Sequence, residues 1–279
     1  MFQLLSRLRR IWFYGFISGV VALGIVFGSA QSAAALPRWL ELLLQGVQVI
    51  QLSTMSDSQE VRLGQRINQQ LLEEEFQLYQ GTQVTRYVEQ IGQRLVPYSI
   101  RSDIPYVFQV IQDDQVNAFA TMGGFVYVTT GLLETADNEA QLASVVSHEI
   151  GHIASRHAVE QMREMAIARG VLTAAGVDES AAVGIGVELA LRRPNSRQDE
   201  LEADQLGLAN LRQAGYAPSA MVDFMQKLLR AGSPPTFLST HPSVNSRIDA
   251  LASQIDPATA TQGDGLNEEN YQARIRRVN

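Results

Sequence analysis

The sequence predicts an α+β fold: a mainly helical domain with a small antiparallel sheet. Two periodicities point to it. Apolar residues recur at helical spacing over 57–75, 82–96, 137–169, 199–214, 218–231 and 244–255. Between the second and third of these, the period changes to short runs rich in aromatic and β-branched residues, at 106–112, 116–120 and 125–130. Composition agrees: the chain has 279 residues, 46% hydrophobic and 18% charged, which suits one large globular domain or two small ones.

Taken in order, the chain opens on an export or anchor segment. Arg7, Arg9 and Arg10 precede an apolar stretch over 11–28 and a small-residue run that ends at Ala35. A basic start, an apolar core and an Ala-x-Ala site make a secretory signal. The apolar stretch is longer than such a core needs and reaches the length of a membrane span. Residues 1–35 therefore read as a cleaved signal peptide or a retained N-terminal membrane anchor. Either places the rest of the chain beyond a membrane, periplasmic or lumenal, because the positive end stays inside. Residues 36–56 form an apolar connecting segment that fits a docking helix or a strand.

Ser56-Asp57-Ser58, with Glu60 behind it, starts the first helix and turns Val61, Leu63, Ile67, Leu71 and Leu72 inward. The second helix buries Val84, Tyr87, Val88, Ile91 and Leu95 and is closed by Pro97. Gly123-Gly124 is the turn before the third strand. A long helix then runs over 137–169, with Glu139 in its first turn, where a carboxylate suits the helix dipole, and Gly170 ends it. Residues 170–191 are Ala/Gly/Val-rich and fit a packing hairpin better than a mobile or membrane-touching flap. Two more helices follow, and a stiff loop over 232–235 leads to Ser239-Thr240-His241-Pro242-Ser243. The chain thus divides into the leading segment, the connector, one domain over 57–255, and a loosely held polar tail over 256–279.

Composition excludes several functions. A net charge of −7 argues against a nucleic-acid partner, which needs a basic face. The absence of cysteine excludes a disulfide scaffold, a thiolate zinc finger and a cysteine nucleophile. Histidine numbers four, so a histidine-based site must use nearly all of them.

His148-Glu149-Ile150-Gly151-His152 is such a site. Residues four apart on a helix lie one above the other, so two imidazoles converge on one zinc ion. Glu149, one step round, reaches water beside that ion as a general base. The motif makes the predicted fold a zincin-type metallopeptidase domain, with one Zn2+ per chain and the sheet beside the active-site helix. A catalytic zinc needs a third protein ligand, here His, Asp or Glu. On a continuous helix His157 lies about 140° round from His152, so it reads as a supporting or surface histidine. Glu200 and Asp204, four apart on a later helix, share a face. Glu200 can bind zinc while Asp204 steadies a histidine through its second nitrogen, or the acidic run is a solvated helix start. Glu202 points the other way.

His148-Glu149-x-x-His152 followed by Glu200-x-x-x-Asp204 resembles the zinc metallopeptidases of the HtpX and CAAX prenyl protease family. Asn117-Ala118-Phe119-Ala120, the run from Gly123 to Leu133, Ser196-Arg197, and His241-Pro242-Ser243 with Arg247-Ile248 resemble further family segments, over about 53–255. The chain is most similar to the exported, BepA- and LoiP-like branch. It lacks the helical-repeat extension of the former, the lipidated cysteine of the latter, and the long apolar spans of membrane-embedded members.

The resemblance implies His148, His152 and Glu200 as zinc ligands, with Asp204 supporting them. It implies an endopeptidase in which Glu149 assists attack by zinc-bound water. His241 and Arg247 are the candidates to meet the oxyanion; His241 can instead fill the open zinc position and hold the enzyme latent. The substrate is expected to lie along the strand over 125–130, at Phe125 and Val126, with Gly123 and Gly124 admitting its backbone and Asn117 holding it or closing a turn. Expected substrates are unfolded or misassembled envelope polypeptides. The membrane is a partner only through an uncleaved N-terminus, and nucleic acid is not one. The alternative is a chaperone-like holding or assembly factor with little turnover.

Overall fold

Several helix starts in this chain are set by side chains that hold the first free N–H groups. The computed structural model describes residues 49–173, 176–192, 194–231 and 235–276. Strand β1 (Val49–Ile50) leads through a helical turn at Leu52–Thr54 into α1 (Asp57–Glu74). Ser56 accepts from the Gln59 N–H, and the Gln59 side chain answers the Ser56 N–H, a reciprocal cap. Leu52 and Met55 are buried ahead of the expected domain start. Helix α2 (Thr82–Leu95) buries Val84, Tyr87, Val88, Ile91 and Leu95, as its spacing predicts. The expected leader, residues 1–35, most of the connector, and residues 232–234 lie outside the described residues. Among the described residues no helix is long and apolar enough to cross a membrane.

The sheet holds β2 (Val107–Ile111), β3 (Ala118–Thr121) and β4 (Phe125–Thr129) in the order β2-β4-β3. It is mixed rather than antiparallel throughout: β4 runs antiparallel to β3 but parallel to β2. The reason lies in β4, which is buried at every position. Val126 and Val128 pack with α2, while Phe125 and Tyr127 pack with α1, so both faces are covered. Such a strand takes the centre, and the chain from β2 crosses to the far edge before turning back. Gly123 and Gly124 make that turn at φ 77° and 97°. The connection between β2 and β3 pins to the start of the next helix through the Thr130 hydroxyl, which donates to Asp113 O at 2.8 Å.

Short α3 (Thr130–Thr135) is capped by the Thr129 side chain, and α4 (Glu139–Ala154) by Asn138. Helix α4 is buried at every position over 140–154, so it runs through the core rather than across it. The predicted long helix stops at Arg156, whose φ of 58° reverses the chain before α5 (His157–Ala168). Arg156 holds that bend by pairing with buried Glu60 at 3.0 Å and donating to Met55 O at 2.8 Å. Strand β5 (Val177–Asp178) pairs with β1, and α6 (Glu179–Arg192) packs over α1 and α5. The Ala/Gly-rich segment is therefore a packed element.

Helix α7 (Arg197–Gln213) carries a second reciprocal cap, Ser196 with Asp199. Then come α8 (Ser219–Arg230), short α9 (Thr236–Thr240) and α10 (Val244–Gln254). The expected loose tail instead ends in α11 (Glu268–Ile275). Tyr271 is buried, donates to Leu133 O at 2.7 Å and packs beside Tyr87. Its polar sequence hid one inward face of two residues, Tyr271 and Ile275.

Candidate active site

Two glycines bring the histidine helix onto the carboxylate helix. A Cβ at Gly151 would lie 2.6 Å from Ala203 O, and one at Gly207 would lie 3.0 Å from His148 N. Helices α4 and α7 therefore cross at near backbone contact, and Ser147 ties them by donating to Gly207 O at 2.7 Å. That crossing sets Glu200 and Asp204 against His148 and His152.

Three ring and carboxylate groups converge. Nε2 of His148 and Nε2 of His152 are 3.0 Å apart. Glu200 places Oε2 3.5 Å from the first and Oε1 3.2 Å from the second. Zinc with tetrahedral bonds of about 2.0–2.1 Å holds its ligands about 3.3 Å apart, so this donor set fits it. All three residues are buried, and Asp204 Oδ1 accepts from Nδ1 of His148 at 2.9 Å, on the side away from the cluster. A metal-binding histidine needs such a partner to fix its tautomer.

His241 joins the cluster. It ends α9, with Nδ1 3.2 Å from His148 Nε2 and 3.0 Å from Glu200 Oε1. His148, His152, Glu200 and His241 each offer a ligand atom, all within 4.8 Å of one another. The other nitrogen of His241 is 3.4 Å from Glu149 Oε1.

Electrostatics follow from burial. Burial raises the Glu149 carboxyl, against the pull of His241 and His148. Burial holds His152 down at about 3, the neutral imidazole that metal binding requires. Burial and Arg247 work to lower His148, but Asp204 and Glu200 bring it up to about 9. Burial would raise Glu200, yet His241, His148 and His152 outweigh it and hold the carboxyl well below its usual range.

Arg247 does not stand where an oxyanion would form. Its guanidinium is fully buried behind the ligands. Nε and Nη2 donate to the two Asp204 oxygens, each at 2.7 Å, and Nη1 reaches Glu200 Oε2 at 2.5 Å and His241 O at 3.2 Å. With its donors spent on these groups, it locks α7, α10 and the His241 loop together.

The strand face also differs from expectation. β4 spends its backbone on both neighbours, so no substrate can add to it at Phe125 and Val126. The free edge near the site belongs to β3: among the described residues no strand pairs with its other side. Thr129 N–H donates to Asn117 O, so the alternation of an antiparallel ladder turns the backbone groups of Ala118 and Ala120 outward. Gly123 and Gly124 make their close approaches to Glu60 O and to Pro105 O, inside the fold, rather than to a ligand. Asn117 exchanges hydrogen bonds with the Thr129 side chain through its backbone, and its Oδ1 is 3.5 Å from the Thr240 hydroxyl.

His157 takes the supporting place that the sequence allowed it, and Asn195 escaped sequence reasoning. The break at Arg156 turns His157 back, so its Nδ1 lies 2.8 Å from Nδ1 of His152. Asn195, in the loop before α7, sets Nδ2 3.4 Å from His152 Nε2 and 3.5 Å from His241 Nδ1. The Gln161 amide donates to Asn195 Oδ1 at 2.8 Å, which aims the Asn195 NH2 at the cluster. The only signal for Asn195 was its place directly before Ser196-Arg197.

Comparison with known proteins agrees with this arrangement. The model of peptidase family M48 matches residues 82–255. The beta-barrel assembly-enhancing protease of Escherichia coli K12 is 32% identical over 244 residues, covering 80% of this chain and 49% of that protein. Its Yersinia pestis counterpart is 30% identical over 271 residues, covering 90% and 55%. The mitochondrial metalloendopeptidase OMA1 of Schizosaccharomyces pombe is 35% identical over 174 residues, covering 59% and 51%. The chain spans about half the length of these relatives.

Proposed function

Because the chain belongs to peptidase family M48, we propose that it is a zinc-dependent endopeptidase acting on unfolded or misassembled envelope proteins beyond a membrane. The observation that carries the reading is the convergence of His148, His152 and Glu200 beside a buried glutamate, Glu149, whose Oε1 makes no hydrogen bond. The exported location rests on the N-terminal pattern, and the substrate class on the free β3 edge and on the names of the relatives.

His148, His152 and Glu200 are the residues that would hold zinc. When bound, zinc supplies a Lewis acid for a peptide carbonyl and lowers the pKa of water at the site. The chain's own residues do the rest. Glu149 Oε1 takes a proton from the attacking water, helped by burial that raises its pKa, and returns it to the departing amine. The Asn195 NH2, held by Gln161, donates to the carbonyl oxygen as it gains charge. Asp204 fixes His148, and Arg247 fixes Asp204. An extended substrate pairs with the outward backbone groups of Ala120.

His241 supports a second feature. With zinc bound, a fourth protein donor would take the position that water or substrate needs. The enzyme would rest latent with His241 in place and work when α9 and the ring withdraw together. The holding-factor reading draws on the same latch.

The test is cleavage of an unfolded protein by the zinc-loaded full chain, with Glu149→Gln as control. Cleavage by the wild type alone is expected. Equal activity of the two proteins, or none in either after His241→Ala, would overturn the endopeptidase reading in favour of the holding factor.

A further inference from the structure

The two histidines of the cluster differ in what stands behind them. Nε2 of each faces the other ring and Glu200, which leaves Nδ1 of each on the far side. Behind His148 that nitrogen meets the Asp204 carboxylate. Behind His152 the partner is instead Nδ1 of His157, a second buried imidazole at 2.8 Å.

Two ring nitrogens at that distance make a hydrogen bond only if one donates and the other accepts. As a ligand, His152 keeps the lone pair of Nε2 for the metal and carries its proton on Nδ1. His157 then accepts at Nδ1 and carries its own proton on Nε2. Its surroundings agree with that tautomer. His157 Nε2 faces two carboxylates, Glu202 Oε2 at 3.6 Å and Asp199 Oδ1 at 3.9 Å. Both are held: the Ser155 hydroxyl donates to Glu202 Oε1 at 2.8 Å, and Asp199 is tied to Ser196 in the cap of α7.

The backbone bends to bring the rings together. Arg156 sits at a φ of 58°, which few residues with a side chain adopt. On a continuous helix the ring of His157 would point about 140° away from that of His152. The bend, held by the pair of Arg156 with Glu60, carries it back.

We infer that His157 is a positioning residue, which fixes the tautomer and the ring orientation of His152 toward the metal. The inference rests on the zinc site of the endopeptidase reading. It gives His152 a neutral acceptor where His148 has a carboxylate.

Two measurements test it. With four histidines in the chain, isotopic nitrogen labelling of histidine lets NMR follow each ring in the zinc-loaded full chain. The proton is expected on Nδ1 of His152 and on Nε2 of His157. A proton on Nδ1 of His157 would overturn the inference. The second measurement is zinc affinity, by competition with a chelator, in His157→Leu and His157→Asn. The two replacements fill nearly the same volume, but only Asn can set an acceptor where Nδ1 stands. The Leu variant is expected to lose about 10–100-fold in zinc affinity, and the Asn variant to recover most of that loss. Equal affinities in the two variants would mean that His157 acts by packing, and would overturn the inference while sparing the zinc site. A wild-type chain that takes up no zinc would overturn the zinc site and the inference with it.

Discussion

Nδ1 of His148 stands 2.9 Å from Oδ1 of Asp204, while the opposite nitrogen of the same ring faces Glu200. One carboxylate thus orients the ring and another shares its ligand position. Asp204 also takes both donors of the buried Arg247 fork. Removing the carboxylate outright would strand that guanidinium, a loss of about 3–5 kcal/mol. Asp204→Asn keeps the shape and weakens the orientation. It is expected to lower zinc affinity by about 10–100-fold, read by competition with a chelator. An unchanged affinity would mean that His148 is held by packing alone.

Asn195 Nδ2 lies 3.4 Å from His152 Nε2 and is the donor proposed for the oxyanion. Asn195→Ala removes the NH2 without setting a charge beside the ligands. Turnover is expected to fall about 100-fold, the usual effect of deleting one oxyanion donor. Zinc content and KM are expected to stay close to wild type, because the amide contributes only as charge develops. A parallel loss of zinc would instead place Asn195 among the groups that build the metal site.

The helices and the metal motif were legible in the sequence because each is local. Ser56 announces a helix start within four residues of chain, and His148 and His152 need only one turn to meet. What was not legible depends on long-range choices. The central place of β4 follows from burial on both faces, which a five-residue run cannot declare. The bend at Arg156 depends on Glu60, almost a hundred positions away in sequence. Arg247 reads as a free cation until Asp204 and Glu200 are seen to hold it. Gly151 and Gly207 look like helix breakers in isolation, yet they let the two helices of the site touch.

Helix α6, which packs over α1 and α5, is anchored at its start by Asp178, whose side chain accepts from the Ser180 hydroxyl and the Ala181 N–H. The Ser180 hydrogen bond holds the Asp178 carboxyl below its usual range. A carboxylate with a depressed folded pKa stabilises fully above its unfolded value of about 3.9. That stability is lost as pH falls through the folded value. Asp178→Ala is therefore expected to lower Tm at pH 7 by about 2–4 °C, the effect of one cap of about 1 kcal/mol in a domain this size. As the pH falls and the carboxylate takes up its proton, the two melting temperatures are expected to converge. Thermal denaturation across the acid range checks the sign. A deficit that persists in acid would mean that the side chain acts by packing rather than by charge.

His241 is where two roles meet. Its Nδ1 lies among the ligand atoms and its Nε2 lies 3.4 Å from the Glu149 carboxylate and 3.4 Å from Ala118 O. In that position it occupies both the space a water would need and the base that would activate it. It also crosses the β3 edge that a substrate would use. The ring stacks on Phe237 at 4.4 Å, and its backbone N–H donates to Phe237 O, so the short helix α9 and the ring move as one piece. Release of that piece would open the metal, the base and the strand edge together. His241→Ala is therefore expected to raise cleavage of an unfolded protein by about 5–150-fold, the span of a latch worth 1–3 kcal/mol. Zinc remains bound through His148, His152 and Glu200. A loss of turnover with zinc retained would give the opposite assignment, in which His241 works beside Asn195 on the charged oxygen and the resting enzyme is already open.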